Sequence, residues 1–184
     1  MFLDNTACNL ASLNLISFLR EDGQFDIDAF SYAVRLWTIS LEISVLIAQF
    51  PSPEIASLSY RYLTLGLVYD NICGLLMAIV IAYDYDIGRN ICASITALMT
   101  GICYKTSGEM AELLGSFPGF KENQSSMLKV MRNHRRAAYG EKENFEELSI
   151  LPKGLDTVVM EEDCQIDQKK IRIKINICLL YTSP

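Results

Sequence analysis

Histidine is all but missing from this chain: His134 is the single one in 184 residues. With no second ligand at a useful spacing from it, a histidine-based metal centre is excluded. Six cysteines stand at 8, 73, 92, 103, 164 and 178, yet there is no CxxC pair and no zinc spacing. The chain also lacks a glycine-rich phosphate loop, a Walker motif, a dinucleotide fingerprint and a nucleophile elbow, which removes the enzyme classes built on them. Positive charge is short as well, with 16 Lys and Arg against 22 Asp and Glu, a net charge of −6. A nucleic-acid-binding surface is therefore not expected. No apolar run stands out at membrane-spanning length: the strongest, Ile72 to Tyr83, is about a dozen residues and is stopped by Asp70 and Asn71. A span needs roughly 20, so this run is read as a core helix and no membrane partner is expected. Met1 is followed by Asp4 and Asn5 without a basic stretch, so no signal peptide is read and a cytoplasmic chain with reduced thiols is expected.

What the chain does have is apolar bulk. Hydrophobic residues make up 51% and charged residues 21%, the balance of a globular or deeply buried segment. A first helix is expected from about Ala29 to Phe50, capped by Asp26 or Asp28. Phe30, Val34, Trp37, Leu41 and Val45 share one face, and Leu36, Ile39, Ile43, Leu46 and Phe50 another, so the helix should be surrounded by protein. Its only charges over that span, Arg35 and Glu42, read as a solvated or paired edge. Ser52 as N-cap and Pro53 at the first helical position open a second helix to about Tyr62. The longest helix should run from Ile87 to about Leu114, with Gly115 just past its end and a bend or break at Thr106–Glu109. Cys92 and Cys103 lie beside its apolar stripe as core fillers. A last amphipathic helix is expected from about Lys121 to Tyr139, with Met127, Val130 and Met131 inward and His134 among the cations near its C-terminus.

The most informative stretch is Thr6-Ala7-Cys8-Asn9-Leu10-Ala11-Ser12-Leu13-Asn14-Leu15. Leucines alternating with small and polar residues suit a short buried strand running into a helix, which would hold Cys8 on rigid backbone. Met1 to Leu15 closely resembles the segment that follows the active-site loop of ribonucleotide reductase catalytic subunits, above all the adenosylcobalamin-dependent (class II) type. The Leu65–Met77 stretch and Asn133-His134-Arg135-Arg136-Ala137-Ala138-Tyr139-Gly140 are similar to two further family segments. In the first of these the family uses small residues for close helix packing. Here Leu63, Val68, Asp70 and Cys73 stand where that pattern has arginine, glycine, alanine and glycine. Each is one G-to-T change, or C-to-A on the other strand, from the expected residue, which points to damage or misreading of the source DNA. If genuine, Val68 should overpack by about 1–3 kcal/mol, and a buried Asp70 would need a partner or a proton.

The resemblance implies an α/β fold: part of a ten-stranded α/β barrel, mostly helical in this segment, with one short strand near Cys8. It implies reduction of ribonucleotides to deoxyribonucleotides by thiyl-radical chemistry, with Cys8 as one of two reducing thiols. The radical cysteine, the basic glutamate and the partner thiol would lie upstream, so this segment is expected to be inactive alone. Adenosylcobalamin is the implied cofactor, though no cofactor-binding residue can be assigned. The implied partners are a ribonucleotide and a thioredoxin-type dithiol that reopens the disulfide each turnover, and an oligomer is compatible. Alternative readings are a reductase with a separate radical-generating subunit and a non-catalytic helical scaffold. The boundaries expected are a reductase segment over 1–152, an acidic linker over 153–167 and a non-native read-through tail over 168–184. Within the tail, Ile171 to Ile177 alternates like a strand.

Overall fold

In the computed structural model, which describes residues 3–153, Asn9–Asn14 forms strand β1. A 3-10 turn, Leu15–Phe18, follows it. Helices α1 (Ile27–Ile47) and α2 (Pro53–Tyr62) lead to a second strand, β2 (Leu65–Asp70). The strands pair in parallel, Asn9 opposite Leu65 through Asn14 opposite Asp70. Parallel neighbours require a crossover of a dozen or more residues, and α1 with α2 supplies it. Helices α3 (Ile72–Ala78), α4 (Asp86–Leu114) and α5 (Phe120–Ala138) complete the described chain. The proposed linker beyond 153, the tail with its expected strand, and Cys164 and Cys178 lie outside the described residues.

The core forms where β1, the 3-10 turn, α1, α3 and α4 meet. Leu13, Leu15, Phe30, Val34, Leu75, Leu76, Ile91, Ile95 and Leu98 are all buried there. Phe18, Phe25 and Phe30 close one end as a ring cluster with centroids 5.3–6.1 Å apart. The helix starts follow local chemistry. The Asp26 carboxylate accepts from the Ala29 amide at 3.0 Å and caps α1, and Ser52 Oγ accepts from the Ile55 amide at 3.3 Å ahead of Pro53. Gly115 ends α4 with φ +85°, its amide donating to the Ala111 carbonyl at 2.9 Å. Gly88 is required for a different reason: a Cβ there would sit 2.8 Å from the Ala82 carbonyl, so only glycine lets the 79–85 loop close over the first turn of α4.

Several expectations are corrected. The Leu65–Asp70 stretch is a strand and not a helix-packing segment, so there are two strands where one was expected. Alternation of Leu65, Leu67 and Tyr69 with Gly66 and Val68 favours extended backbone, and Gly66 lies in register with Leu10. The run from Ile72 is helical only to Ala78, because the chain turns through Val80 at φ +59°. The α4 helix passes through Thr106–Glu109 unbroken, with Thr106 buried and open space around Gly108. Neither α1 nor β1 is enclosed: Leu36, Trp37, Ile43 and Leu46 are exposed on α1, and Leu10 on β1 is 71% exposed. One stripe of α1 packs on α4 and the strands, and no described element covers the other. Val130 on α5 points outward for the same reason. Val68 and Asp70 are exposed too, which removes the expected overpacking and the expected buried charge. By length and composition, α1 rather than the Ile72 run is the helix apolar enough to cross a membrane. Its buried stripe of Phe30, Val34, Thr38, Leu41 and Val45 and the Arg35–Glu109 pair tie it to the rest of the fold.

Candidate functional site

Cys8 is the residue before β1, and its thiol is exposed. The backbone around it is held from three directions. The Ala7 amide donates to Ser59 Oγ at 2.9 Å, and Thr64 Oγ1 donates to the Ala7 carbonyl at 2.8 Å. On the other side, Asn9 Nδ2 donates to Ser44 Oγ at 2.6 Å on α1. Ser59 and Thr64 are both buried, and buried hydrogen bonds of this kind leave an unmet polar group if either partner moves. The result is an accessible thiol on a peptide that cannot swing. That combination suits repeated thiol–disulfide exchange, which needs access and fixed geometry.

Sequence reasoning singles out Cys8 but misses Asn9, Ser44, Ser59 and Thr64, which hold the backbone around it. Serine and threonine on a helix or beside a strand ordinarily read as solvent-facing, and nothing local marks Ser59 and Thr64 as buried. The other described thiols do not join Cys8. The register puts Asn14 beside Asp70, and Asn71 Nδ2 donates to Asn14 Oδ1 at 3.0 Å. Cys73 thus lies at the far end of the strand pair, about 20 Å away by strand rise. Cys92 and Cys103 are half-buried on α4, as expected of core fillers; burial pushes the Cys92 thiol up, and Thr38 Oγ1 donates to Cys103 Sγ at 3.5 Å.

The Asn133–Gly140 motif also gains a structural meaning. Arg132 grips both oxygens of Glu146 at 2.7 Å, and Arg136 adds a contact at 2.8 Å. Asn133 exchanges hydrogen bonds with the Glu146 backbone at 2.9 and 3.0 Å. The hydrogen bonds from Arg132 lead in holding the Glu146 carboxyl down at about 2. His134 lies 6.4 Å from the Tyr104 ring, and its surroundings lower its pKa by desolvation, so it does not serve as the helix-end cation expected of it. The crevice beside it, between α4 and α5, has a volume of about 230 Å³. That is below the roughly 300–1,000 Å³ of drug-sized ligand sites, and a corrin is larger than such ligands. Among the described residues there is also no group of three potential metal ligands from His, Cys, Asp and Glu.

A parallel strand pair joined by helices, with further helices packed against it, defines an α/β protein whose candidate chemistry is that of a thiol at a strand end. The sequence profile of the ribonucleotide reductase barrel domain matches residues 1–172. The chain belongs to that family. It is 55% identical over 159 residues to the vitamin B12-dependent ribonucleotide reductase of Bradyrhizobium diazoefficiens, covering 86% of this chain and 13% of that protein. The enzyme of the same name from Agrobacterium fabrum is 57% identical over 156 residues, 84% of this chain and 12% of that protein. A more distant relative, the ribonucleoside-diphosphate reductase large chain of Encephalitozoon cuniculi, is 28% identical over 118 residues, 64% of this chain and 15% of that protein. The chain thus spans about an eighth of the length of the first two relatives.

Proposed function

We propose that this chain is part of the catalytic barrel of a cobalamin-dependent ribonucleotide reductase, and that Cys8 is one of two thiols that supply electrons to the substrate. The observation carrying this is the exposed Cys8 thiol on a peptide pinned by Ser59 and Thr64. Replacing the ribose 2′-hydroxyl by hydrogen releases water and takes two electrons and two protons. Two cysteine thiols provide both as they close to a disulfide, and an external dithiol of the thioredoxin type restores them while becoming a disulfide itself. The second thiol, the radical cysteine and the basic glutamate belong to other parts of the complete protein. Adenosylcobalamin is the cofactor proposed for that protein; the described residues offer no cradle for a corrin, and no step is assigned to them through it.

Both outer edges of the β1–β2 pair lack a strand neighbour among the described residues. A ten-stranded barrel would pair them and cover the open faces of α1 and β1. We place such a protein in the cytoplasm, where dithiol reductants keep thiols reduced, and an oligomer is compatible with these faces. Relatives named as vitamin B12-dependent, at 40–57% identity, favour this reading over a reductase with a separate radical-generating subunit. They weigh equally against a non-catalytic scaffold.

The test is to extend the reading frame in both directions and assay the completed protein with adenosylcobalamin, a ribonucleotide and a dithiol. The parent should form deoxynucleotide, and Cys8→Ser should lose dithiol-dependent turnover. Normal turnover by the variant would remove Cys8 from the electron path.

A further inference from the structure

The turn between α4 and α5 is built onto the end of α2, beside the groups that hold the Cys8 backbone. Gly119 in that turn is buried, and its amide donates to the Arg61 carbonyl at 2.9 Å. Its own carbonyl accepts from Asn123 Nδ2 at 2.9 Å, which ties the turn to the start of α5. Arg61 also pairs with Glu122 on α5, and its guanidinium carbon lies 5.5 Å from the centre of the Tyr62 ring. With φ −79° and ψ −2°, Gly119 is in the right-handed region open to L-residues. What requires glycine here is space. A Cβ would stand 2.8 and 2.9 Å from two carbons of the Tyr62 ring and 3.1 Å from the Arg61 carbonyl oxygen.

The same short stretch of chain carries both supports of the Ala7 peptide. Ser59, three residues before Tyr62, accepts from the Ala7 amide, and Thr64, two residues after it, donates to the Ala7 carbonyl. Between them the Leu63 amide donates to the Ser59 carbonyl at 2.8 Å and closes α2. Ser59 and Thr64 are buried, and a closely packed interior passes a displacement on to its neighbours. We propose that Gly119 and Tyr62 are positioning residues for Cys8: the α4–α5 turn seats the last turn of α2, and that turn of helix sets the Ala7 peptide. The use of this link in turnover rests on the reducing role proposed for Cys8, whereas the link itself does not.

The test follows amide exchange into deuterated water, residue by residue, by NMR on the whole isotope-labelled chain. Gly119→Ala drives the Tyr62 ring off its seat, so the Ala7 amide should exchange about tenfold faster, the loss of one ordinary hydrogen bond. The amides of Val34 and Leu41 in the middle of α1 should keep the parent's rates. Tyr62→Phe retains the ring and should behave as the parent. In Tyr62→Ala the obstruction is gone, and adding Gly119→Ala should then change the Ala7 rate no further. In the completed protein, Gly119→Ala should lower kcat and leave the ribonucleotide KM unchanged. An unchanged Ala7 rate in Gly119→Ala would show that the ring turns aside without moving α2, and equal acceleration at Ala7, Val34 and Leu41 would show only a destabilised fold. Either result overturns the proposal, as does a full effect of Gly119→Ala in the Tyr62→Ala background. Normal turnover by Cys8→Ser would remove the reducing role of Cys8 and leave the exchange results standing.

Discussion

Val80 is the residue whose backbone conflicts most with its side chain. It adopts φ +59° while 91% exposed, and a β-branched residue in the left-handed region has no packing there to offset the strain. The strain is of order 1–3 kcal/mol, against roughly 0.5–1 kcal/mol that glycine loses through its freer unfolded chain. Val80→Gly should therefore stabilise the protein by about 1 kcal/mol, seen as a higher urea midpoint with unchanged slope. An unchanged or lower midpoint would show that the turn tolerates valine. Valine is also one G-to-T change from glycine, which sets Val80 beside Leu63, Val68, Asp70 and Cys73. Of those four, Leu63 shares the backbone symptom, at φ +45° where α2 ends. Val68, Asp70 and Cys73 are exposed.

At the scale of the element, α4 carries an unmet polar group on its buried face. Thr106 is 1% exposed and its hydroxyl has no hydrogen-bond partner among the described residues. An unsatisfied buried hydroxyl costs about 1–3 kcal/mol, and valine has nearly the same shape. Thr106→Val should raise stability by about 1 kcal/mol, measured in the same urea titration, whereas a loss of stability would reveal a partner for the hydroxyl in solution. Helices such as α4 and α2 were legible because their signals are local: period, caps, Pro53 at the start and Gly115 at the end. The strand β2 was not, because six residues carry little periodicity and its strand character depends on pairing with β1, more than 50 residues earlier. The site divides the same way. Cys8 is singled out as a candidate by its flanking residues, while Ser59 and Thr64 come to hold the neighbouring Ala7 peptide only once the crossover folds back over it. Exposure of the outer faces of α1 and β1 was illegible for a related reason, since an apolar stripe says that something covers it without saying whether that partner is nearby.

For the molecule as a whole, the stability of the 141–153 segment is expected to depend on one carboxylate. Arg132 and Arg136 hold Glu146 on α5, Asn133 fixes its backbone, and its pKa falls from the usual 4.5 to about 2. A lowered carboxyl pKa means that the unfolded state binds the proton more readily. The stabilisation is thus fully present above about pH 4.5 and is lost as pH falls toward about 2. Glu42 works in the opposite direction: desolvation raises its pKa, so the folded state takes up the proton first and the group costs stability once ionised. Acid titration should then show two carboxylates of opposite sign, with the clamp dominating the limb below pH 4.5. Glu146→Gln keeps the shape but removes the charge that both arginines share. Its expected effect is faster proteolysis between Glu141 and Lys153 at neutral pH, and a stability curve flatter than the parent's between pH 4.5 and 2. The parent itself should approach the variant's cleavage rate when both are assayed with an acid-active protease near pH 2. Equal cleavage of parent and variant at neutral pH would mean that the Asn133 backbone contacts hold the segment without the carboxylate.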